Sequence, residues 1–169
     1  MNFQESDQNM VNQHAVIYWQ SNIGKTYMYG STINYITKDH VIFQNDLFSV
    51  GSIVHSWHSL SQYQAQRSGK QLPLLLAGIE YQLTLNASVV PEKAMYLQLK
   101  FYDRYENIID RITIKDKVEK FRYPENAYAY DVELINVGVK KIVFNNIEIN
   151  DANFDNQQIS NDQGLYVSN

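Results

Sequence analysis

Strict alternation of apolar and polar residues is the feature that most restricts how this chain can fold. Over residues 81–89 every second side chain is apolar and the side chains between them are polar. Residues 95–102 repeat the pattern, with tyrosine at two of the alternate positions. A period of two places alternate side chains on opposite faces of an extended strand, so both segments are predicted to be half-buried strands. The Val90–Lys93 segment between them predicts a turn, and we expect the two strands to be antiparallel neighbours.

Similar short segments recur along the chain at intervals near ten residues, and no long window shows a clean helical stripe. Regularly spaced short strands without helices are typical of an all-β fold. The predicted architecture is an antiparallel jelly-roll β-sandwich. The predicted strands cover residues 14–20, 26–36, 40–45, 53–58, 81–89, 95–102, 108–115, 117–123, 128–137 and 140–150.

The length of 169 residues allows one core of ordinary size and not two. Polar residues dominate both ends of the chain, where too little apolar surface is available to offset the entropy of ordering. We therefore expect one domain over residues 14–150, with flexible polar tails at 1–13 and 151–169. The Leu60–Ala77 segment fits strand rules poorly and is expected to cross one end of the sandwich, with the Pro73–Leu76 run packed beneath it.

Charge and cysteine content exclude several classes of function. The net charge of -4 offers no attraction to nucleic acid or to anionic lipid. The chain has no cysteine, so it cannot form a disulfide, a thiolate metal cage or a cysteine nucleophile. No segment approaches the roughly 20 apolar residues that span a bilayer, and the first residues do not resemble a secretion signal. We expect a cytoplasmic protein without a membrane span.

Histidines and carboxylates provide the candidates for catalysis. His55 and His58 are three residues apart, which places them on opposite faces of a strand, and no carboxylate follows at a spacing that suits a metal. The charged stretch from Asp103 to Asp116 could supply a carboxylate pair for glycoside hydrolysis, although ion pairs at a sheet edge explain it more simply. We predict no catalytic residue, no cofactor and no metal. A small jelly-roll metalloenzyme that uses both histidines is the second alternative.

Aromatic side chains are unusually frequent, with 13 Tyr, 7 Phe and 2 Trp. The apolar positions of predicted strand 26–36 place Tyr27, Tyr29, Ile33 and Tyr35 on one face. Rings beside polar groups can bind sugars, because the C–H face of a pyranose packs on the ring while its hydroxyls form directed hydrogen bonds. Tyrosine and tryptophan also occur in cores and at protein interfaces. The candidates for glycan binding or an interface are Trp57, Tyr63, Arg67, Tyr102, Asp103 and Arg104; those for an interface alone are Trp19, Tyr27, Tyr29, Tyr128 and Tyr130.

Several segments, by their order and spacing, resemble one known family. They are Val16–Trp19 (VIYW), Thr26–Ser31 (TYMYGS), Trp57–Ser59 followed by Tyr63 and Arg67, Leu72–Leu75 with Gly78, and Phe101–Arg104 (FYDR). Together they are similar to the third accessory secretory protein, the small subunit of the accessory Sec export system of Gram-positive bacteria. Residues 75–109 also resemble carbohydrate-binding modules of jelly-roll type.

The resemblance implies a non-enzymatic subunit that assembles in the cytosol with accessory secretory proteins one and two. It implies that this complex helps a dedicated translocase motor to export glycosylated serine-rich repeat adhesins that bear N-acetylglucosamine. It also implies a peripheral position at the inner face of the membrane, reached through these partners. No residue with a known role can be carried over from the family. A free-standing carbohydrate-binding module is the first alternative.

Overall fold

The computed structural model describes residues 14–20, 26–59 and 72–153. These residues form ten β-strands and no helix, so the prediction of an all-β fold is confirmed. The described ranges therefore contain no helix that could cross a bilayer. The strands are β1 (His14–Ile17), β2 (Thr32–Thr37), β3 (His40–Gln44), β4 (Ile53–His58), β5 (Glu80–Val90), β6 (Met95–Tyr102), β7 (Ile108–Ile114), β8 (Val118–Arg122), β9 (Ala129–Asn136) and β10 (Lys141–Asp151).

Two antiparallel sheets form a β-sandwich of jelly-roll type. The six-stranded sheet has the order β2-β3-β10-β5-β8, and β1 also pairs with β10. The four-stranded sheet has the order β4-β9-β6-β7. β10 is central to the larger sheet, because it pairs with β1, β3 and β5 along its 11 residues.

β5 and β6 do not pair with each other. β5 pairs with β10 and β8 in the six-stranded sheet, whereas β6 pairs with β9 and β7 in the four-stranded sheet. The prediction that these two strands are antiparallel neighbours is therefore wrong, and the Val90–Lys93 segment leads from one sheet to the other. Alternation specifies which face of a strand is buried, but it does not specify the neighbouring strand.

The predicted strand over residues 26–36 begins six residues later and extends to Thr37. Tyr29 and Gly30 form a turn before it, in which Gly30 has a φ of 70° that favours glycine. Tyr27 therefore precedes the strand, and it packs edge-on against Phe48 with ring centroids 4.4 Å apart. Tyr27 and Tyr29 do not share a strand face with Tyr35, contrary to the prediction.

The predicted tails and the crossing segment fall partly outside the described residues. Residues 1–13, 60–71 and 154–169 lie outside them. Asp151, which the sequence pattern placed in the polar tail, is the last residue of β10. In the run from Leu72 to Leu76, Leu72 and Leu75 are buried whereas Leu74 and Leu76 are exposed, so only part of this run packs against the core.

Inward-facing side chains of both sheets form one core. At its centre is an aromatic cluster, in which Trp19 stacks on His55 with ring centroids 4.6 Å apart and Trp57 stacks on Phe144 at 5.7 Å. Burying one large apolar side chain stabilises a fold by about 1.5–3 kcal/mol. Much of the aromatic content is therefore needed for the core. Other fully buried core residues are Phe43, Leu83, Leu97, Leu99, Phe101 and Leu134.

Two buried asparagines hold the loops at one end of the sandwich. The Asn45 amide donates to the Tyr29 carbonyl at 2.9 Å, and its Oδ1 accepts from the Leu47 N–H at 2.9 Å. Asn45 thus joins the loop before β2 to the loop after β3. Its side-chain amide serves as the hydrogen-bond partner of backbone groups in both loops, so one residue holds the two loops together.

Asn136 has the same function at the end of β9. Its amide donates to the carbonyls of Phe48 and Ser49, at 3.3 and 2.9 Å. Its Oδ1 accepts from the N–H groups of Gly138 and Val139, at 2.8 and 2.7 Å. The β3–β4 loop is thereby tied to the β9–β10 turn. Exposed apolar side chains on these loops form a surface that we call the loop rim: Tyr29, Leu47, Val50 and Val137.

Candidate functional site

The outer face of the four-stranded sheet brings polar side chains of its strands into rows. On β9, Asp131 lies opposite His58 of β4 and opposite Lys100 of β6, and Lys100 lies opposite Arg111 of β7. Residues directly opposite each other in antiparallel strands point to the same face and are close enough to interact. We call this surface the polar face; its residues are Ser56, His58, Gln98, Lys100, Tyr102, Arg111, Asp131 and Glu133.

Asp131 is the acceptor at the centre of one hydrogen-bond network. Its Oδ1 is 2.6 Å from His58 Nδ1, and its Oδ2 accepts from the Tyr102 hydroxyl at 2.8 Å. A carboxylate only accepts hydrogen bonds, so the His58 proton is assigned to Nδ1 in this contact. Burial raises the pKa of Tyr102 above its ordinary value of 10.0, and the hydrogen bond to Asp131 raises it further. Tyr102 therefore remains a neutral donor at physiological pH.

Lys100 and Glu133 form a second network beside the first. Lys100 Nζ donates to Glu133 Oε1 at 2.7 Å, and the Glu133 residue is only 4% exposed although it lies on an outer face. Within the described ranges, Glu133 Oε2 has no hydrogen-bond partner. A buried acceptor without a donor costs about 1–3 kcal/mol. The polar face thus contains a buried carboxylate oxygen that no donor among the described residues satisfies.

Ser56, His58 and Asp131 follow the order of an acyl-transfer triad, but their geometry suits it poorly. Ser56 Oγ is 3.5 Å from His58 Nε2, at the limit for a hydrogen bond. Glu133 lies directly opposite Ser56 in the sheet. Acyl transfer needs hydrogen-bond donors where an oxyanion develops, whereas the residue directly opposite Ser56 is a carboxylate, which only accepts hydrogen bonds. We therefore assign no acyl-transfer role to these three residues.

The two histidines of β4 lie on opposite faces, as predicted. His55 is buried in the aromatic cluster, with its Nδ1 2.6 Å from Thr26 Oγ1, whereas His58 lies on the polar face. The two residues cannot ligate one metal ion from opposite sides of a sheet. In the part of the chain that the structure describes, no group of three or more histidines and carboxylates could hold a metal. The metalloenzyme alternative built on this pair is not retained.

Three of the aromatic candidates lie in the core. Trp57 is fully buried, and its Nε1 donates to the Tyr18 carbonyl at 2.8 Å. Trp19 is also fully buried, and the buried Tyr130 donates its hydroxyl to the Pro73 carbonyl at 2.7 Å. Because solvent does not reach these rings, we do not retain Trp57 as a glycan contact, nor Trp19 and Tyr130 as interface residues.

Tyr102, Asp103 and Arg104 lie at the end of β6. Tyr102 belongs to the polar face, whereas Asp103 builds the turn that follows. Its Oδ1 accepts from the backbone N–H groups of Tyr105 and Asn107 at 2.8 and 2.9 Å. Hydrogen bonds from Asn107 hold the pKa of Asp103 below its ordinary value of 3.8. Asp103 is thus engaged in the turn, and Arg104 is exposed beside it.

Exposed tyrosines lie beside this end of the polar face. Tyr105, in the turn after β6, is 85% exposed. Tyr128 is also exposed, and its N–H donates to the Tyr102 carbonyl at 2.7 Å. Tyr29, in contrast, lies on the loop rim. The remaining candidates, Tyr63 and Arg67, lie outside the described residues.

The sequence did not nominate the residues at the centre of the polar face. Asp131, Glu133 and Lys100 are ordinary polar residues of strand segments, and only the sheet order β4-β9-β6-β7 brings them together. The alternation in β6 does predict that Lys100 and Tyr102 share one face. It does not reveal which carboxylates face them, since those come from a strand about thirty residues further along the chain.

Comparison with known proteins identifies the family. Residues 26–151 match the family model "Accessory Sec secretory system ASP3". Over 148 residues the chain is 36% identical to the accessory Sec system protein ASP3 of Streptococcus gordonii, a match that covers 82% of this chain and 93% of that protein.

Solved structures agree with this match. A chain in the crystal structure of accessory secretory protein 1,2 and 3 of Streptococcus pneumoniae is 38% identical, with a TM-score of 0.76 over 83% of this chain and 98% of that one. A chain of the Gap123 complex from Streptococcus agalactiae is 28% identical, with a TM-score of 0.77 over 83% of this chain and 45% of that one.

A more distant likeness is to a chain of Clostridium thermocellum Xyn10B that contains a CBM22-1 module, at 11% identity and a TM-score of 0.44 over 83% of this chain and 28% of that one. The family match over residues 26–151 and the 36% identity to the S. gordonii protein establish that the chain belongs to the ASP3 family of the accessory Sec secretory system.

Proposed function

We propose that this chain is a non-enzymatic subunit of a cytoplasmic complex with accessory secretory proteins one and two. In that complex it acts as a scaffold and as a glycan-recognition module during export of a glycosylated serine-rich repeat adhesin. Membership of the ASP3 family supports the first part, as does the similar S. pneumoniae chain in a structure of accessory secretory proteins 1, 2 and 3. The observation that carries the proposal is that two different surfaces, one apolar and one polar, are each held in place by hydrogen bonds.

The loop rim is the surface that docks on an accessory partner. Leu47 is 83% exposed and Tyr29 is 80% exposed, and both lie on loops that Asn45 holds. Large exposed apolar side chains grouped on one end of a domain are typical of protein–protein contacts. Because the loops are already fixed, docking requires little ordering of the chain. Tyrosine and leucine on a rigid loop can then fill pockets of the partner.

The polar face is the surface that contacts N-acetylglucosamine on the adhesin. Asp131, Glu133 and Lys100 provide acceptors and a donor whose positions are fixed by their hydrogen bonds within the face. Tyr105 and Tyr128 provide exposed rings at the margin. Sugar hydroxyls match such fixed groups, and the sugar ring packs on an aromatic side chain. Each contact is weak, but many sugars on one adhesin make the total binding effective.

The translocase motor and the membrane are reached through the partners in this proposal. The chain itself contributes the two surfaces, and accessory secretory proteins one and two provide the connection to the export machinery. A peripheral position at the inner face of the membrane then follows from the complex as a whole.

Co-purification with tagged accessory secretory proteins one and two tests the scaffold function. We compare the full chain with Leu47→Asp on the loop rim and with Val118→Asp, which changes a 53% exposed apolar residue on β8. The unchanged chain and Val118→Asp are expected to be retained, whereas Leu47→Asp is expected to be lost. If the unchanged chain forms no complex at micromolar concentrations, the proposed scaffold function is wrong.

Titration of the chain with an N-acetylglucosamine-bearing repeat peptide tests glycan recognition. Backbone amide resonances of β6 and β9 are expected to shift, and those of the loop rim are expected to stay in place. The unglycosylated peptide is the control. If the chain binds sugar strongly by itself and never forms the complex, a free-standing carbohydrate-binding module is the better description. If no resonance moves, glycan recognition by this chain is excluded under those conditions.

A further inference from the structure

β2 forms one edge of the six-stranded sheet, and its side chains are exposed on both faces. Ile33 packs against the core on the inner face, and Tyr35 follows it on the same face with much of its ring exposed. On the outer face Asn34 is exposed, and Ile36, two residues further along β2, is 56% exposed. An edge strand also presents unpaired N–H and C=O groups along its free side. β2 therefore combines a backbone edge with which no other described strand pairs and exposed apolar side chains.

The other edge strands carry features that discourage further pairing. β1 is only four residues long. The free side of β4 is occupied, because Thr26 forms a bridge to His55 and the Tyr27 N–H donates to the Val54 carbonyl at 2.9 Å. Short edge strands and covered edges are known ways of avoiding strand addition.

The remaining two edges are protected by charge. β7 carries Asp110 and Arg111, and β8 has the sequence VEKFR, with three charged residues out of five. β2 has the sequence TINYIT, with no charge and no proline. Its one irregularity is a shift of register between Tyr35 and Thr37, next to the hairpin turn. The segment from Thr32 to Tyr35 keeps a regular register with β3 and is the least protected edge among the described strands.

We propose that β2 pairs in an antiparallel manner with β2 of a second copy of this chain, about a two-fold axis at Asn34. Residues that pair across the two copies must face the same side of the joined sheet. The two-fold axis therefore has to pass between one residue and the same residue of the second copy. At Asn34, the axis places Ile33 opposite Tyr35 of the second copy and Thr32 opposite Ile36. An axis at Tyr35 would instead require pairing across the irregularity before Thr37. An axis at Asn34 is the one that pairs Ile33 with Tyr35 inside the regular segment from Thr32 to Tyr35.

The sequence of β2 suits this register on both faces. The inner face gains two pairs of Ile33 with Tyr35, a combination of β-branched and aromatic residues that stabilises antiparallel sheets. The outer face gains two pairs of Thr32 with Ile36. No charged residue of β2 opposes another, since the strand has none. The exposed apolar side chains are thereby covered by the same few residues of the other copy.

Such a dimer joins the two six-stranded sheets and leaves both four-stranded sheets uncovered. If the proposed function is right, two polar faces are then carried by one particle. A ligand with many repeated sugars would be held at two places at once, which strengthens total binding without any new contact. The dimer itself does not depend on the proposed function, because it follows from β2 alone.

Sedimentation over a concentration series tests the association. The full chain is expected to change from monomer to dimer between roughly 5 and 500 μM, since a small interface binds weakly. Ile36→Lys is expected to weaken dimerisation at least tenfold, because a lysine on an edge blocks strand pairing. Val118→Lys is the matched control, on another edge strand with similar exposure, and it is expected to dimerise like the unchanged chain. A chain that remains monomeric throughout, or an Ile36→Lys variant that dimerises normally, overturns the proposal.

Cross-linking tests the register, and the absence of native cysteine makes it clean. Asn34→Cys is expected to form a disulfide-linked dimer under mild oxidation, because the two residues face each other across the axis. Thr32→Cys is the control: it lies four residues from its counterpart, about 13 Å along the strands, beyond the reach of a disulfide. Equal cross-linking of both variants overturns the register. Co-purification of Ile36→Lys with the accessory proteins is expected to succeed, so failure of the dimer and failure of the proposed function can be told apart.

Discussion

The loop rim and the polar face present their side chains to solvent in different ways. On the loop rim, apolar side chains are held by the backbone beneath them, and Asn45 and Asn136 fix that backbone from inside. On the polar face, the side chains hold one another, with Asp131 as the shared acceptor of one network. The strands below the polar face are fixed by sheet pairing, whatever those side chains do.

This difference separates stability from binding in the two regions. The rigidity of the loop rim depends on buried residues that no partner would touch. The polar face depends on residues that a ligand would contact directly. Changes beneath the loop rim should therefore alter folding first, and changes on the polar face should alter binding while the fold is retained.

Asn136→Ala is expected to have the largest effect, on the stability of the domain. The change removes two donated and two accepted hydrogen bonds, and it leaves backbone groups of the β3–β4 loop and the β9–β10 turn without that partner. The contact with the Val139 N–H is buried, whereas the other three are partly buried, so water can replace part of what they lose. An unpaired buried group costs about 1–3 kcal/mol, so the free energy of unfolding should fall by about 2–4 kcal/mol. Equilibrium unfolding in urea measures this change.

Asn146→Ala is the matched control for that measurement. Asn146 accepts a hydrogen bond from Asn86 at 2.7 Å on the outer side of the six-stranded sheet, where it is partly exposed. Water can replace this contact, so a loss of under about 1 kcal/mol is expected. Equal losses for the two variants would contradict the special role of Asn136 at the loop end.

Tyr29→Ala and Tyr105→Ala compare the two regions directly. They are matched, because Tyr29 is 80% exposed on the loop rim and Tyr105 is 85% exposed beside the polar face. Tyr29→Ala should weaken binding of the accessory partner by about tenfold, a typical cost of removing an interface tyrosine. Tyr105→Ala should leave that binding unchanged and weaken glycan binding by about fivefold. Calorimetric titration of each variant with each ligand checks the pattern, and a variant that weakens both equally would remove the distinction.

Tyr102→Phe is expected to have a smaller effect, confined to the polar face. It removes the hydroxyl that donates to Asp131 while keeping the ring. Asp131 keeps its contact with His58, so the fold should lose no more than about 1 kcal/mol. Glycan affinity should fall about threefold to fivefold, because the freed carboxylate oxygen is no longer held in position. Tyr96→Phe, on the same strand, is the control and should change neither quantity.

Alkaline pH is expected to destabilise the domain through its buried tyrosines. Burial raises the pKa of Tyr102 above 10.0, and burial also raises the pKa of Tyr123 to about 12. The folded chain therefore binds these protons more tightly than the unfolded chain does. Their contribution to stability is complete below about pH 10 and is lost as the pH rises from there towards the folded pKa. Unfolding in urea at a series of pH values measures this loss, and phenolate absorbance reports when the tyrosines lose their protons. The free energy of unfolding should decline less steeply with rising pH for Tyr102→Phe than for the unchanged chain.

Some features of the fold depend only on the local pattern of apolar and polar residues, and others do not. Alternation in β6 correctly predicts that Leu97 and Leu99 are buried, because the period of a strand is a local property. The prediction that β6 neighbours β5 fails, because strand order is decided by contacts across the whole chain. The sequence pattern does not predict the turn at Gly30, since Tyr27, Tyr29, Ile33 and Tyr35 keep the period of two on both sides of it.

The candidate site was predictable only in part, for the same reason. Tyr102 is among the predicted glycan or interface residues, and it lies on the polar face. Trp57 has an equally suggestive ring, but it faces inward, and the sequence of β4 alone does not decide between the faces. Asn136 gave no signal at all, because a buried asparagine that organises loops looks like any polar residue next to a turn.

The central position of β10 has a consequence for how the protein forms in the cell. Residues His14–Ile17 and His40–Gln44 must both wait for this strand, whose first residue, Lys141, is synthesised about a hundred residues after β3. β4 similarly waits for β9. While the ribosome makes the intervening segments, the early strands have no partner to complete their sheet, and contacts between distant segments form slowly. The nascent chain therefore emerges with its apolar edges unpaired, and its folding can be completed only after nearly all of the described strands have been made.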